Sequence, residues 1–335
     1  MWGGGSLRRS TTGLDNSCQF QPLLQQLCPI FSMSHPVAYS IAAVALGVLT
    51  LGAASTGGVS TASSVTIAIA AISVAVIGVP HGGLDHWVGR RLLADRVGSR
   101  WSILFFTIYL FAGMMVAAAW YVAPGQTLVL FFLVSAWHFG REDGLNHFEA
   151  IAAGGLIIWI PALSRPAEME MILQSLIIND SAGAATRVVV MTQWIASVLI
   201  PVAIWSLLWG ASRKHTLATI STMIVAAIAP ILWSFTLFFC GWHSIRGLAR
   251  MRNEENLSWR TFIVAVAPLS IAAVVIVVGV GAYMGESLAE PTEQMRMMFI
   301  GLASIAVPHL FPHEFENILT STRSVQTPGE VLHVG

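Results

Sequence analysis

The sequence predicts an all-α integral membrane protein, a polytopic helical bundle of about ten transmembrane helices. The first observation is composition: 55% of the 335 residues are hydrophobic and 10% are charged, whereas soluble domains carry about 25% charged residues. The second is that runs of roughly 20 apolar residues recur along the chain, which is the length that a helix needs to cross a bilayer. The formal net charge is zero, so no nucleic-acid partner is expected. The lipid bilayer is the expected surrounding.

Apolar runs mark the expected spans in chain order. They fall at about 37–56, 64–80, 102–122, 126–140, 149–163, 191–210, 216–229, 231–249, 261–283 and 295–310. The count of ten requires a break at Pro230, because an unbroken helix would merge the seventh and eighth runs. The alternative is one kinked helix, since a spanning helix tolerates proline when neighbouring groups satisfy the freed carbonyl.

The two ends of the chain differ from the membrane region, which is expected at 37–316. Residues 1–36 form a polar N-terminal extension with three possible origins: a disordered cytoplasmic segment, a targeting peptide, or an upstream start codon placed before Met33. A cleaved secretory signal is not expected, because the stretch lacks a basic region followed by an apolar core. Residues 317–335 are expected to form a C-terminal tail.

Basic residues give the expected orientation in the membrane. With the N-terminus in the cytoplasm, the outer loops hold only three of the 17 lysine and arginine residues, namely Arg165, Arg187 and Arg296. Such an asymmetry agrees with the rule that cytoplasmic loops carry the positive charge. The sequence therefore predicts a multi-pass protein of the plasma membrane with a cytoplasmic N-terminus.

Four histidines near the ends of four apolar runs indicate that the helices surround a buried metal site. In the expected topology they all lie toward cytoplasmic helix ends, at His81, His138, His243 and His309. A single intramembrane histidine is often only hydrogen-bonded to a neighbouring helix, but four at one depth favour metal binding. Neutral imidazole suits zinc, copper, iron and nickel, so the residues alone leave the identity of the metal open.

Residues near the histidines are weaker candidates. Asp85 lies four residues after His81, so on a helix it shares that face and is expected to orient an imidazole through a hydrogen bond. Asp143, at the expected cytoplasmic rim, could have the same role or be a solvated loop acid. Nearby aromatic side chains could line an apolar slot for a lipid-like substrate or belong to the interfacial belt; they are Trp137, Phe139, Phe239 and Trp242.

These motifs resemble the Brp/Blh family of membrane β-carotene dioxygenases. The matching pieces are Pro80-His-Gly-Gly-Leu-Asp85, His138-Phe-Gly-x-x-Asp143, Phe238-Phe-Cys-Gly-Trp-His-Ser244 and Gly301-Leu-Ala-Ser-Ile-Ala-Val-Pro-His309. The resemblance covers about 64–315, and the ordered set is more specific than any single motif. Carried over by position, His81, His138 and His243 match the family's iron ligands.

The resemblance also implies a reaction. Iron(II) and O₂ would cleave the central double bond of β-carotene to give two molecules of all-trans-retinal, without an organic cofactor. Such an enzyme would supply the chromophore of a retinal-binding rhodopsin. The chain itself is not expected to be a rhodopsin, because its only lysine, Lys214, lies in a loop.

One position departs from the family's pattern. The third motif commonly reads His-Ser-x-Arg-His, whereas this chain has His243-Ser-Ile-Arg-Gly247, and glycine cannot bind the metal. We expect His309 to be the fourth ligand, and the alternative is a three-histidine site. Two other functions stay open: a catalytically altered carotenoid- or retinal-binding relative, and another membrane non-haem metalloenzyme acting on a lipid-like substrate.

Overall fold

The computed structural model describes residues 35–55, 63–177, 183–209 and 216–325. All regular secondary structure in these ranges is helical, as predicted. The helices are α1 (His35–Ser55), α2 (Ser64–Ser73), α3 (Asp85–Val97), α4 (Trp101–Val122), α5 (Pro124–Glu142), α6 (His147–Gly154), α7 (Leu156–Ser164), α8 (Pro166–Leu176), α9 (Ala184–Trp209), α10 (Thr216–Ile228), α11 (Ile231–Thr236), α12 (Ile245–Glu254), α13 (Trp259–Tyr283) and α14 (Pro291–Val325). Two π-helical turns, π1 (Val74–Gly78) and π2 (Leu237–Ser244), and 3₁₀ turns at Val79–Gly82 and Gly98–Arg100 join some of them.

Over the residues that the structure describes, each predicted apolar run lies on a helix or on joined helices, and α3 and α8 are additional. Four described stretches are long and apolar enough to cross a membrane: Ser64–Val122, Ala184–Trp209, Trp259–Tyr283 and Pro291–Pro312. A fifth would be α6 and α7 taken together, which are bent by 46°. Several other runs form shorter or interrupted helices, so the count of ten spans stays a prediction.

The structure describes part of the two segments that were expected to flank the membrane region. The polar extension predicted at 1–36 lies outside the described residues except for its last two, which begin α1. At the other end, α14 continues to Val325, so the backbone of the expected tail is helical over its first nine residues.

The chain breaks at Pro230, as the count of apolar runs required. Pro230 has an extended backbone, with φ −53° and ψ 142°, and separates α10 from α11. On one side of the break, the Arg165 side chain donates to the carbonyl of Ile228. On the other side, the N–H of Ile231 donates to Glu168 Oε1 at 2.6 Å. The ion pair of Arg165 and Glu168, at the start of α8, therefore satisfies backbone groups that the break leaves without helical partners.

The π-helical turns bring two histidine-bearing segments into contact. π1 precedes the 3₁₀ turn that carries His81, and π2 contains His243. A Cβ atom at Gly78 would lie 2.4 Å from Cε1 of Phe239, so only glycine allows this approach of π1 to π2. Such π-helical turns occur frequently at functional sites.

The main buried core contains two tryptophans that are almost completely buried. Trp120 and Trp159 are at most 1% exposed. The indole N–H of Trp120 donates to the carbonyl of Leu176 at 3.1 Å, and that of Trp159 donates to the carbonyl of Ile151 at 3.0 Å. Both large side chains therefore keep their hydrogen bonds while burying their ring area.

Candidate metal centre

Four histidine rings lie side by side where four helical segments meet. His81 comes from the 3₁₀ turn after π1, His138 from α5, His243 from π2 and His309 from α14. The ring centroids of His81 and His243 are 4.8 Å apart, those of His138 and His243 5.0 Å, and those of His81 and His309 5.0 Å. The structure thus brings together the four histidines singled out in the sequence.

Glu142, which the sequence analysis missed, also enters this cluster. It ends α5 one turn after His138. Its Oε2 lies 3.3 Å from Nδ1 of His243, and its Oε1 lies 3.5 Å from Nε2 of His81. One ligand atom each from His81, His138, Glu142 and His243 can be chosen so that all lie within 4.8 Å of one another. The signal was available, because Glu142 stands at i+4 from His138, the same spacing that singled out Asp85.

His309 is held by Asp85. Its Nδ1 lies 2.8 Å from Oδ1 and 2.9 Å from Oδ2 of Asp85, which is 2% exposed. The Tyr109 hydroxyl donates to the same carboxylate at 2.9 Å. This arrangement commits Nδ1 to Asp85 and leaves Nε2 as the ring atom able to face a ligand. His309 nevertheless stands outside the four-residue group defined by the 4.8 Å distance.

The imidazole that Asp85 contacts belongs to α14. The i,i+4 spacing placed Asp85 on the face of His81, but the imidazole that it contacts is that of His309. The reason is local: the 3₁₀ turn ends at Gly82, and α3 begins only at Asp85. Helical spacing therefore does not apply between the two residues.

The donor set fits a divalent metal ion. His81 is buried, and neither of its ring nitrogens has a hydrogen-bond partner among the residues described. Unsatisfied buried nitrogens are costly, and a bound cation would satisfy one of them. Three imidazoles with one carboxylate suit a transition metal and partly cancel its charge. Arg250 also donates to Glu142 and holds the carboxylate from its solvent side.

An apolar cavity of about 120 Å³, here called the histidine cavity, opens from the cluster. All four histidines line it, together with Phe139 and Phe239. The Phe139 ring centroid lies 4.6 Å from that of His243. The lining extends along α5 from His138 to Leu128, about 15 Å at 1.5 Å per residue. Apolar walls with a few convergent polar groups are typical of sites for lipid-like molecules.

Comparison with known proteins places this chain in a family. A family model described as beta-carotene 15,15'-dioxygenase matches residues 72–313. The chain belongs to this family. The beta-carotene 15,15'-dioxygenase of uncultured marine bacterium 66A03 is 25% identical over 247 residues, which cover 70% of this chain and 88% of that protein. The probable beta-carotene 15,15'-dioxygenase Blh of Halobacterium salinarum is 24% identical over 201 residues, which cover 51% of this chain and 57% of that protein.

The family match confirms the resemblance that the motifs indicated. The region that matches the beta-carotene 15,15'-dioxygenase model includes every residue of the cluster, from His81 to His309. No solved structure gives a significant match.

Three residues of this beta-carotene dioxygenase family member that the sequence analysis singled out do not line the histidine cavity: Trp137, Asp143 and Trp242. Asp143 forms an ion pair with Arg246, whose guanidinium lies 4.4 Å from the centre of the Trp242 ring. Trp137 donates its indole N–H to Nδ1 of His147 at 3.0 Å. None of the three lines the histidine cavity among the described residues, whereas Phe139 and Phe239 do. Their motif positions alone did not reveal which side of each helix faces the cluster.

Proposed function

We propose that this protein cleaves the central double bond of β-carotene with O₂ and iron(II), giving two molecules of all-trans-retinal. The observation that carries the proposal is a group of four metal-ligand side chains within 4.8 Å of one another at the end of an apolar cavity. It occurs in a family whose curated relatives are named for β-carotene cleavage. The reaction balances without a reductant: the carbon–carbon double bond breaks, and each carbon takes one atom of O₂ as an aldehyde oxygen.

We assign the metal to His81, His138, His243 and Glu142, with His309 facing the same site. Iron(II) bound by imidazoles and a carboxylate with open positions would supply activation of O₂. The carboxylate of Glu142 contributes the negative charge that imidazoles lack, so it would favour a divalent cation over an empty cluster. The same imidazoles would also accept zinc, so metal analysis is part of any test.

Asp85 and Tyr109 act in this proposal as positioning residues. Asp85 holds the His309 ring through Nδ1, and the Tyr109 hydroxyl fixes Asp85 in turn. A carboxylate in this position sets the tautomer and angle of an imidazole near a metal. The pair would keep Nε2 of His309 directed toward the cluster.

Aromatic side chains would hold the polyene and exclude water. Phe139 packs edge-on against His243, and Phe239 is stacked on the same ring at 5.7 Å between centroids. Phe235 stacks on Phe239 at 5.5 Å and continues the apolar wall away from the cluster. Burying an extended polyene against these rings would be driven by its apolar area. The walls would also set which double bond lies beside the cluster.

The membrane arrangement is part of the proposal. About ten spans in the plasma membrane, with a cytoplasmic N-terminus, would place the cluster near the cytoplasmic face. The distribution of lysine and arginine supports this orientation. A lipid-soluble substrate would then enter laterally from the bilayer, and the retinal product would be available to a rhodopsin.

Gly247 was the reason to consider a catalytically altered relative, and its surroundings support an intact site instead. The ring of His81 fills the space beside Gly247. Gly247 is therefore in contact with His81, and the group of possible metal ligands contains three imidazoles and the Glu142 carboxylate.

Retinal formation in a bacterium engineered to accumulate β-carotene tests the function. We expect retinal from the wild type and none from His138→Ala at equal protein levels. His309→Ala made in parallel tests the role of His309, and full activity would exclude it from the site. A folded wild-type protein that makes no retinal would contradict the proposed reaction and favour a binding role.

A further inference from the structure

A second cavity, of about 420 Å³, lies on another face of α14. We call it the α4–α13 cavity, since residues of α4 and α13 form its side walls. It extends from Asp85 and Tyr109 at its inner end to Glu286 and Arg296 at its outer end. Its volume lies within the range of about 300–1,000 Å³ that is typical of small-molecule sites.

The two cavities share a wall. Val79, Gly82 and Ile305 line both of them. Asp85 lines the α4–α13 cavity while its carboxylate holds His309, whose ring lines the histidine cavity. A molecule in the second cavity would therefore lie one layer of residues away from the candidate metal centre.

The inner half of the α4–α13 cavity contains polar atoms that need a partner. Ser304 and His86 both line it. The hydroxyl of Ser304 and Nδ1 of His86 are buried and make no hydrogen bond within the described part of the chain. A hydrocarbon chain alone would leave both atoms unsatisfied, which is unfavourable. The cavity thus favours a ligand that carries a hydrogen-bonding group.

The charged side chains that line the α4–α13 cavity indicate the charge of the ligand that fits it. The Asp85 carboxylate is paired with His309, and the Arg296 guanidinium lies 2.7 Å from Oε1 of Glu286. Arg296 is the only arginine or lysine among the described residues that line this cavity, and it is paired with Glu286, whose Oε2 makes no hydrogen bond within the described residues. An anionic ligand would therefore gain no dedicated cation and would lie near an unpaired carboxylate oxygen. The rest of the wall is apolar, with side chains such as Leu110 and Ile276. The complementary ligand is long, apolar and neutral, with one polar end.

We propose that the α4–α13 cavity binds a polyene aldehyde, with its carbonyl at Ser304 and its chain between α4 and α13. The Ser304 hydroxyl would donate to the carbonyl oxygen. This inference rests on the proposed function, because such an aldehyde is the product of the cleavage. The cavity would then be a product site that is separated from the cluster by the wall at Gly82.

Binding of tritium-labelled all-trans-retinal to the purified protein in lipid nanodiscs tests the inference. Adjacent residues of α4 provide a matched pair of variants, since Ala117 lines the cavity whereas Ala118 is exposed and does not. We expect one saturable site, weakened about tenfold or more by Ala117→Phe and changed less than about twofold by Ala118→Phe. Ser304→Ala should weaken binding about three- to tenfold through the lost hydrogen bond.

Two results would overturn the inference. One is equal retinal binding by the wild type, Ala117→Phe and Ala118→Phe, which would mean partition into lipid or binding in the histidine cavity. The other is wild-type affinity for a polyene hydrocarbon of the same length that equals its affinity for retinal, which would remove the need for a polar end. β-Carotene cleavage is measured separately. Cleavage without retinal binding overturns only this inference, and retinal binding without cleavage overturns only the proposed function.

Discussion

Gly247 lies directly against the ring of His81. A Cβ atom on Gly247 would be 1.9 Å from Cε1 and 2.1 Å from Nδ1 of His81, so no side chain fits there while the ring keeps its position. The motif that this segment resembles commonly has a histidine at this position, and here the His81 ring occupies the adjoining space. The departure at Gly247 and the placement of His81 are thus two aspects of one packing arrangement.

Gly247→Ala should therefore disturb the metal site through His81. The added methyl group must displace the His81 ring from its present position, so we expect at least about tenfold weaker metal binding. Metal content after reconstitution with iron(II), measured by mass spectrometry, checks this. Gly279→Ala is the matched control, since a Cβ atom there meets nothing within 4 Å. Unchanged metal content in Gly247→Ala would show that His81 is dispensable or free to move.

Glu142 and Asp143 are neighbouring carboxylates with different predicted roles. Glu142→Gln removes a charged ligand and should weaken iron(II) affinity by about 100-fold, whereas Asp143→Asn should leave it within about threefold. The reason is contact: Glu142 reaches His81 and His243, and Asp143 pairs with Arg246. Metal titration of both purified variants makes the comparison. Equal affinities would remove Glu142 from the site.

The sequence predicted the helical fold class and the convergence of the four histidines, but it did not predict the contacts of the residues around them. Apolar runs located the helices, and Pro230 marked a real break, because both depend on local composition. The partner of Asp85 could not be predicted, since a turn at 83–84 cancels the helical spacing from His81.

The π-helical turns had no recognisable sequence signal. A π-helical turn changes which side of a helix faces the histidines. The direction of the Trp242 side chain within π2 therefore could not be predicted from α-helical spacing. Glu142 is a different case. Its spacing of four residues from His138 indicates a shared face of α5, so the sequence did carry a signal for it.

The hydrogen bonds among Tyr109, Asp85 and His309 predict losses of iron(II) affinity of different size for two substitutions. Asp85→Asn should lower iron(II) affinity by about 10–100-fold, because the amide cannot hold the imidazole in the same way. Tyr109→Phe should have a smaller effect, about three- to tenfold, since it removes one hydrogen bond to Asp85. Tyr121→Phe is the control for loss of a phenol on α4. If both Asp85→Asn and Tyr109→Phe bind metal like the wild type, His309 does not depend on Asp85.

The break at Pro230 predicts a loss of stability that is separate from the metal site. Arg165→Ala and Glu168→Ala each remove a partner of a backbone group beside the break. Each should lower the free energy of unfolding by about 1–3 kcal/mol. The double variant should lose less than the sum, because the two side chains also pair with each other. Denaturant unfolding in detergent micelles measures this, with the exposed Glu290→Ala as control. If the loss of unfolding free energy in the double variant equals the sum of the two single losses, Arg165 and Glu168 do not act together at the break.

The most direct test of the account is cleavage of β-carotene by the purified iron(II) protein under ¹⁸O₂, with immediate reduction of the aldehydes to prevent exchange with water. We expect two retinal-derived alcohols per β-carotene, each with one ¹⁸O atom, and no product from the metal-free protein or from His138→Ala. Equal product from the metal-free protein, or no cleavage by a folded iron-loaded protein, would contradict the assignment of this cluster as the site of the reaction.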